Sequence, residues 1–102
     1  MIYPIIWLPE AERTFKQNLA YLGDEWSTQV KANFLLRVDE VISLVSTNPN
    51  LYPIYRKKDQ VRKCVVHPRI ALYFKVKNEK IFLIVFWNSY QDSKKLRLKI
   101  KS

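Results

Sequence analysis

The chain of 102 residues contains one glycine, one cysteine and one histidine, and each scarcity excludes a chemistry. With Gly23 alone, no glycine-rich loop can cradle a phosphate with its backbone amides. Cys64 has no partner for an internal disulfide. Together with His67, the single imidazole, it makes no zinc-type ligand set, so neither a metal nor a cofactor is expected. A solitary cysteine suits a reducing cytoplasm. No apolar run approaches the ~20 residues that span a bilayer. The opening MIYPIIWLPEAER also lacks the basic start and small-residue cleavage site of a secretory leader, so no membrane partner is expected. Carboxylates are sparse after residue 40, where only Asp59, Glu79 and Asp92 occur; a paired-carboxylate acid/base site is not expected. No Ser-His-Asp or Cys-His spacing stands out either, and no small-molecule substrate site is read from the residues.

Hydrophobic residues are plentiful, at 48% of the chain with 14% aromatic, enough for one core and one domain over residues 1–102. Net charge is +9, and it is unevenly placed. Residues 1–53 carry four basic against six acidic side chains, a net −2. Residues 54–80 carry nine against two, a net +7, and residues 81–102 carry five against one, a net +4. A lysine-rich solvated surface is the plain alternative; bias this one-sided points to a face that meets phosphate or an acidic protein.

Along the chain, Ile2 to Leu8 reads as a strand, and Pro4 places it at a sheet edge because proline donates no ladder hydrogen bond. Pro9 suits the first turn of a helix whose stripe is Ala11, Phe15, Leu19 and Leu22, with Gly23 as its stop. Asp24 is the expected cap of a second helix with the stripe Trp26, Val30, Phe34, Val38, Val41 and Val45, ended by Asn48-Pro49. Residues 49–60 read as a loop with a basic tip. Val61 to Val66 reads as a strand and His67-Pro68 as a turn. Ile70 to Val76 alternates between Ile70, Leu72, Phe74, Val76 and Ala71, Tyr73, Lys75. A hairpin turn follows at Lys77–Lys80. Ile81 to Trp87 is continuously apolar, as in a strand covered on both faces. Asp92 is placed to cap a short basic helix over 93–99. Cys64, inside a strand alternation, reads as a small core residue.

The expected fold is therefore α+β: a helical hairpin packed on one face of a four-stranded antiparallel sheet, β-α-α-β-β-β in order 2-3-4-1, with a short C-terminal helix. The apolar fourth strand needs a neighbour, which the first strand supplies. Counting reversals through both helices makes that pair antiparallel.

The chemistry left is cationic. Arg56, Lys57, Lys58, Arg62, Lys63 and Arg69 cluster in the loop and the first hairpin, and Lys94, Lys95 and Arg97 follow the fourth strand; all nine are candidates for binding a nucleic acid or another acidic target. For any one of these lysines the alternative is an ordinary solvated charge. Such groups also suit stabilisation of a pentacoordinate phosphate during RNA cleavage, with His or Tyr moving protons.

Five phrases of the sequence carry a resemblance. They are Leu8-Pro9-Glu10-Ala11, Asn48-Pro49-Asn50-Leu51-Tyr52-Pro53, Arg62-Lys63-Cys64-Val65-Val66, Ile70-Ala71-Leu72-Tyr73-Phe74-Lys75-Val76, and Phe86-Trp87-Asn88-Ser89-Tyr90-Gln91-Asp92-Ser93-Lys94-Lys95-Leu96. In this order, over nearly the whole chain, the sequence resembles the RelE/ParE superfamily of type II toxin–antitoxin toxins. The resemblance implies growth arrest and neutralisation by the acidic segment of a cognate antitoxin, with the apolar fourth-strand surface and C-terminal segment as its expected seat. It implies two targets: ribosome-bound mRNA, cut by the RelE-like branch, and DNA gyrase, inhibited by the ParE-like branch. The ribonuclease branch has a third-strand arginine where Ala71 stands, with Arg69 two residues away, and another where Ser89-Tyr90-Gln91 stands. Many ParE-like relatives have an arginine at the Tyr90 position and a proline near Ser93, which this chain lacks as well. The missing nuclease set favours the ParE-like reading; the enzyme alternative would use Arg62, Lys63, His67, Arg69 and Tyr90. A third reading is a non-toxic nucleic-acid-binding module.

Overall fold

The computed structural model describes residues 2–25, 27–89 and 93–101, with the side chains of all of these except 22–25, 93 and 101. The elements are β1 (Ile5–Trp7), α1 (Pro9–Glu25), α2 (Thr28–Thr47), a short 3-10 turn (Pro49–Leu51), β2 (Ile54–Arg56), β3 (Val61–His67), β4 (Ile70–Lys77), β5 (Lys80–Asn88) and α3 (Ser93–Lys101).

Helix α1 opens at Pro9 with Glu10 and Glu12 in its first turn, where they complement the positive end of the dipole. It passes through Gly23 and ends at Glu25. One interior glycine costs a helix only about 1 kcal/mol, so Gly23 is not its stop. The cap of α2 is Ser27 instead of Asp24, its side chain accepting the Val30 N–H at 3.3 Å. Helix α2 then buries Phe34, Val38, Val41 and Val45, as the spacing requires, and its ladder closes with Asn48 N–H donating to the Leu44 carbonyl at 3.0 Å. Trp26, expected in that stripe, and Asp92, expected to cap α3, lie outside the described residues.

The sheet has five strands in the order β1-β5-β4-β3-β2, one more than expected. The addition is β2, three residues inside the segment read as a loop; a strand so short, just after Pro53, has no alternation to reveal it. It also changes a direction. The reversal count that made the first and last strands antiparallel omits β2, and with it included β1 runs parallel to β5, Ile5 opposite Ile81 and Trp7 opposite Leu83. Strand β1 does lie at the edge and begins just after Pro4, whose carbonyl accepts the Ile81 N–H at 2.9 Å. The other pairs are antiparallel. The β4–β5 turn puts Asn78 and Glu79 at φ 54° and 62°, the two left-handed positions of a type I′ hairpin.

The sheet is covered on both faces. On one, Phe34, Val38, Val41 and Val45 of α2 meet Cys64, Leu72, Phe74, Leu83 and Phe86. On the other, Leu96 and Ile100 of α3 pack on Tyr73, Ile84, Val85 and Trp87, burial contributing roughly 1.5–3 kcal/mol for each large side chain. Cys64 is buried, as its place in the alternation implied. The expected open apolar surface on the last strand is not there: α3 occupies it, leaving Trp87 7% and Ile84 5% exposed.

Two buried polar residues complete β5. Strand β1 ends at Trp7, so among the described residues no strand lies beside that edge of β5 beyond Leu83. Helix α1 fills the place: Thr14 Oγ1 accepts the Phe86 N–H at 2.9 Å and Asn18 Nδ2 donates to the Phe86 carbonyl at 3.0 Å.

Candidate anion-binding cleft

Strand alternation sends Lys63, Val65 and His67 of β3 to one side, the face that α3 partly covers. The register of β3 against β4 slips between Val65 and His67, and the chain turns through Pro68 and Arg69 into β4. The result is a cleft of about 90 Å³ whose lining includes Lys63, Val65, His67, Arg69, Tyr73 and Trp87, and among the described residues no acidic side chain.

The turn is held by hydrogen bonds. Arg69 N–H donates to His67 Nδ1 at 3.1 Å, and Ser89 N–H donates to the Arg69 carbonyl at 2.7 Å, which ties the hairpin tip to the end of β5. Because Nδ1 accepts, the neutral ring carries its proton on Nε2. Burial, and then the neighbouring Arg69 charge, push the His67 pKa below its usual 6.5. Tyr73, with the Tyr55 ring edge-on at 4.8 Å, is pushed up to about 12, chiefly by burial, and stays a phenol. Among the described residues the cleft thus offers two cations and a neutral imidazole, a set chemically suited to an anion.

The structure divides the expected site residues. Lys63, His67 and Arg69 come together in the cleft. Arg62, one residue from Lys63, lies on the opposite face, where its guanidinium donates to the carbonyls of Asn50 at 3.3 Å and Tyr52 at 2.6 Å. Arg56 makes a two-pronged ion pair with Asp59 and donates to the Ile100 carbonyl at 3.2 Å; that pairing, above all, raises the Arg56 pKa and lowers that of Asp59. Both arginines therefore serve the fold. Lys57 and Lys58 are exposed in the β2–β3 turn, and Lys94, Lys95 and Arg97 are exposed on α3. Tyr90 lies outside the described residues. Ala71 of β4, where the resemblance implies an arginine in the ribonuclease branch, is a small group in the cleft lining. Val65, 53% exposed, went unnoticed in the sequence, although the i, i+2, i+4 spacing of Lys63, Val65 and His67 marks one face of a strand.

A larger cleft of about 250 Å³ lies between Leu8, Glu10, Ile84, Lys99 and Ile100. Its rim is closed by Glu10, paired with both Arg13 and Lys99, and it forms the seam between α3 and the body. Among the described residues no helix is long and apolar enough to cross a membrane.

Comparison with known proteins gives one family. The model described as "ParE toxin of type II toxin-antitoxin system, parDE" matches residues 5–92. No curated protein matches the chain.

Proposed function

The chain belongs to the ParE toxin family of type II toxin–antitoxin systems, and from that premise we propose that it arrests growth in the ParE-like manner, by inhibiting DNA gyrase, until an acidic segment of its antitoxin binds. The observation that carries the choice of target is the division of the basic residues. Arg62 and Arg56 are spent on carbonyls and Asp59, and Ala71 of β4 stands in the cleft where the ribonuclease branch has an arginine. A nuclease must place several donors around one developing phosphorane, and the described residues supply two cations there.

The test is a supercoiling reaction with purified gyrase and relaxed plasmid. Loss of supercoiling on adding the protein, restored by the antitoxin, is the expected result. Unimpaired supercoiling at a large excess of protein rejects gyrase as the target.

One observation favours the alternative, a ribosome-dependent endoribonuclease. His67 stands beside Lys63 and Arg69, and with Nδ1 accepting from the Arg69 N–H its Nε2–H is able to donate to a phosphate oxygen or leaving group while the cations hold the phosphate. Primer extension on a reporter mRNA in a reconstituted translation reaction separates the readings. New ribosome-dependent 5′ ends that vanish in Arg69→Ala would establish cleavage; intact mRNA removes it.

A further inference from the structure

The hairpin turns collect lysine at one end of the sheet. Antiparallel pairing sets Arg62 opposite Phe74 and Lys77 opposite Lys80. The β2–β3 turn (57–60) and the β4–β5 turn (77–80) therefore leave the sheet at the same end, about two strand spacings or ~10 Å apart. The β3–β4 turn, which shapes the cleft, is at the other end. Electrostatics report the same neighbourhood, since Arg56 above all, and Lys75 of β4 to a lesser degree, lower the pKa of Asp59. Lys57, Lys58, Lys77 and Lys80 are exposed and Lys75 is half-buried. Among the described residues none of these five forms an ion pair. Asp59 is held by Arg56, and Glu10, across the larger cleft from Lys75, is taken by Arg13 and Lys99.

Two structural explanations for these lysines fail. Side chains directly opposite in an antiparallel pair are neighbours, and like charges there are destabilising, so Lys77 opposite Lys80 costs the fold. Lysine also guards open sheet edges, but β4 and β5 are inner strands, β5 lying between β1 and β4. A local conflict without a structural return is the mark of a surface kept for binding.

Chemistry then selects the ligand. The turns Lys57-Lys58-Asp59-Gln60 and Lys77-Asn78-Glu79-Lys80 carry no apolar side chain for the core of a protein interface, from which lysine is depleted. They carry no ring on which an unpaired base would stack. Lysine is a point charge on a flexible stem, suited to a row of phosphates whose sequence is not read.

We propose that this end of the sheet binds the phosphate backbone of duplex DNA, whatever its base sequence, through Lys57, Lys58, Lys75, Lys77 and Lys80. The site is separate from the cleft between Lys63 and Arg69. Its role in the cell rests on the gyrase reading: the toxin would hold the DNA on which that enzyme acts.

The test is fluorescence anisotropy with the full chain and a short labelled DNA duplex of arbitrary sequence, without gyrase. Titrations between ~0.05 M and ~0.2 M salt should give a log–log slope near −4.5, as for about five neutralised phosphates. Lys77→Gln with Lys80→Gln should reduce that slope by about 1.8, to near −2.7. This pair removes a repulsion, so the variant keeps its fold, which urea unfolding verifies. Lys16→Gln with Lys31→Gln removes the same charge from α1 and α2 and should leave the slope unchanged. Absence of duplex binding at ~0.05 M salt overturns the proposal, as does an equal change of slope in both double variants. Tighter binding of a single strand of the same length would assign the surface to unpaired bases, and tighter binding of polyglutamate would assign it to an acidic protein; either overturns the choice of duplex DNA. DNA binding with unimpaired supercoiling would remove gyrase and leave this surface standing, while inhibited gyrase with no DNA binding would do the reverse.

Discussion

At the level of single residues, the least conspicuous side chains matter most to the sheet. Thr14 and Asn18 look like ordinary polar positions on an amphipathic helix, yet they are 2% and 6% exposed and complete the hydrogen bonding of Phe86. Thr14→Val keeps the shape and strands a buried N–H, so it should lower stability by about 1–3 kcal/mol in urea unfolding, whereas Thr14→Ser should lose less. A Thr14→Val variant as stable as the parent would show that water reaches that edge. His67 gives a second prediction. Its folded pKa lies below its usual 6.5, so the neutral ring accepting from Arg69 N–H is the state at pH 7. Its contribution to stability is complete above 6.5 and is lost as the pH falls through the lower folded value. An NMR titration should place the His67 midpoint below 6.5. Arg69→Ala should recover only part of the shift, because burial is the larger cause.

Among the elements, those with strong periodicity were legible and those defined by contact were not. The stripe of α2 from Phe34 to Val45, the alternation of β4 and the apolar run of β5 were each declared by the sequence and stand where it placed them. Strand β2 declares nothing in three residues, and its omission alone carried the error in the direction of β1. The helix break at Ser27 rather than Gly23 turns on a difference of about 1 kcal/mol, too small for a residue type to decide. In the cleft, the grouping of Lys63 with His67 was readable from alternation. The diversion of Arg62 and Arg56 was not: Arg62 is held by the backbone carbonyls of Asn50 and Tyr52, and Arg56 by Asp59 and the distant Ile100 carbonyl. Helix α3 is likewise a matter of contact, held by Leu96, Ile100, the Glu10–Lys99 pair and the Arg56 bond to the Ile100 carbonyl. Glu10, hydrogen-bonded to Arg13 and then Lys99, has its pKa lowered from 4.5, as Asp59 has from 3.8 through Arg56. A depressed carboxylate stabilises above its unfolded value and stops doing so as the pH falls through the folded one. The seam of α3 should therefore loosen below about pH 4.5, and Glu10→Gln should flatten the acid limb of a melting-temperature profile. An unchanged acid limb would assign that loss to other groups. The β4–β5 turn adds a simpler case. Glu79 sits at φ 62°, a region that costs an L-residue roughly 1–2 kcal/mol, so Glu79→Gly should raise the unfolding free energy by about 1 kcal/mol.

For the molecule as a whole, the question is what a net charge of +9 does once two of its arginines are engaged internally. Duplex-DNA binding through about five phosphates would demand a log–log salt slope near −4.5. For an acidic protein partner the same cations act differently: exposed charges mainly steer the encounter, and desolvated contacts set the lifetime. Lys57, Lys58, Lys95 and Arg97 are exposed and fall under the first heading. Raising ionic strength from ~0.01 M to ~0.15 M shortens the screening length from about 30 Å to about 8 Å, and the association rate with the antitoxin should fall accordingly while dissociation changes little. Lys57→Glu with Lys58→Glu should lower the association rate and reduce its salt dependence. Stopped-flow binding at several salt concentrations reads both rates. If the paired lysine substitutions act on dissociation instead, the turn between β2 and β3 belongs to the interface itself, and the basic half of the chain contacts its partner where it was expected only to attract it.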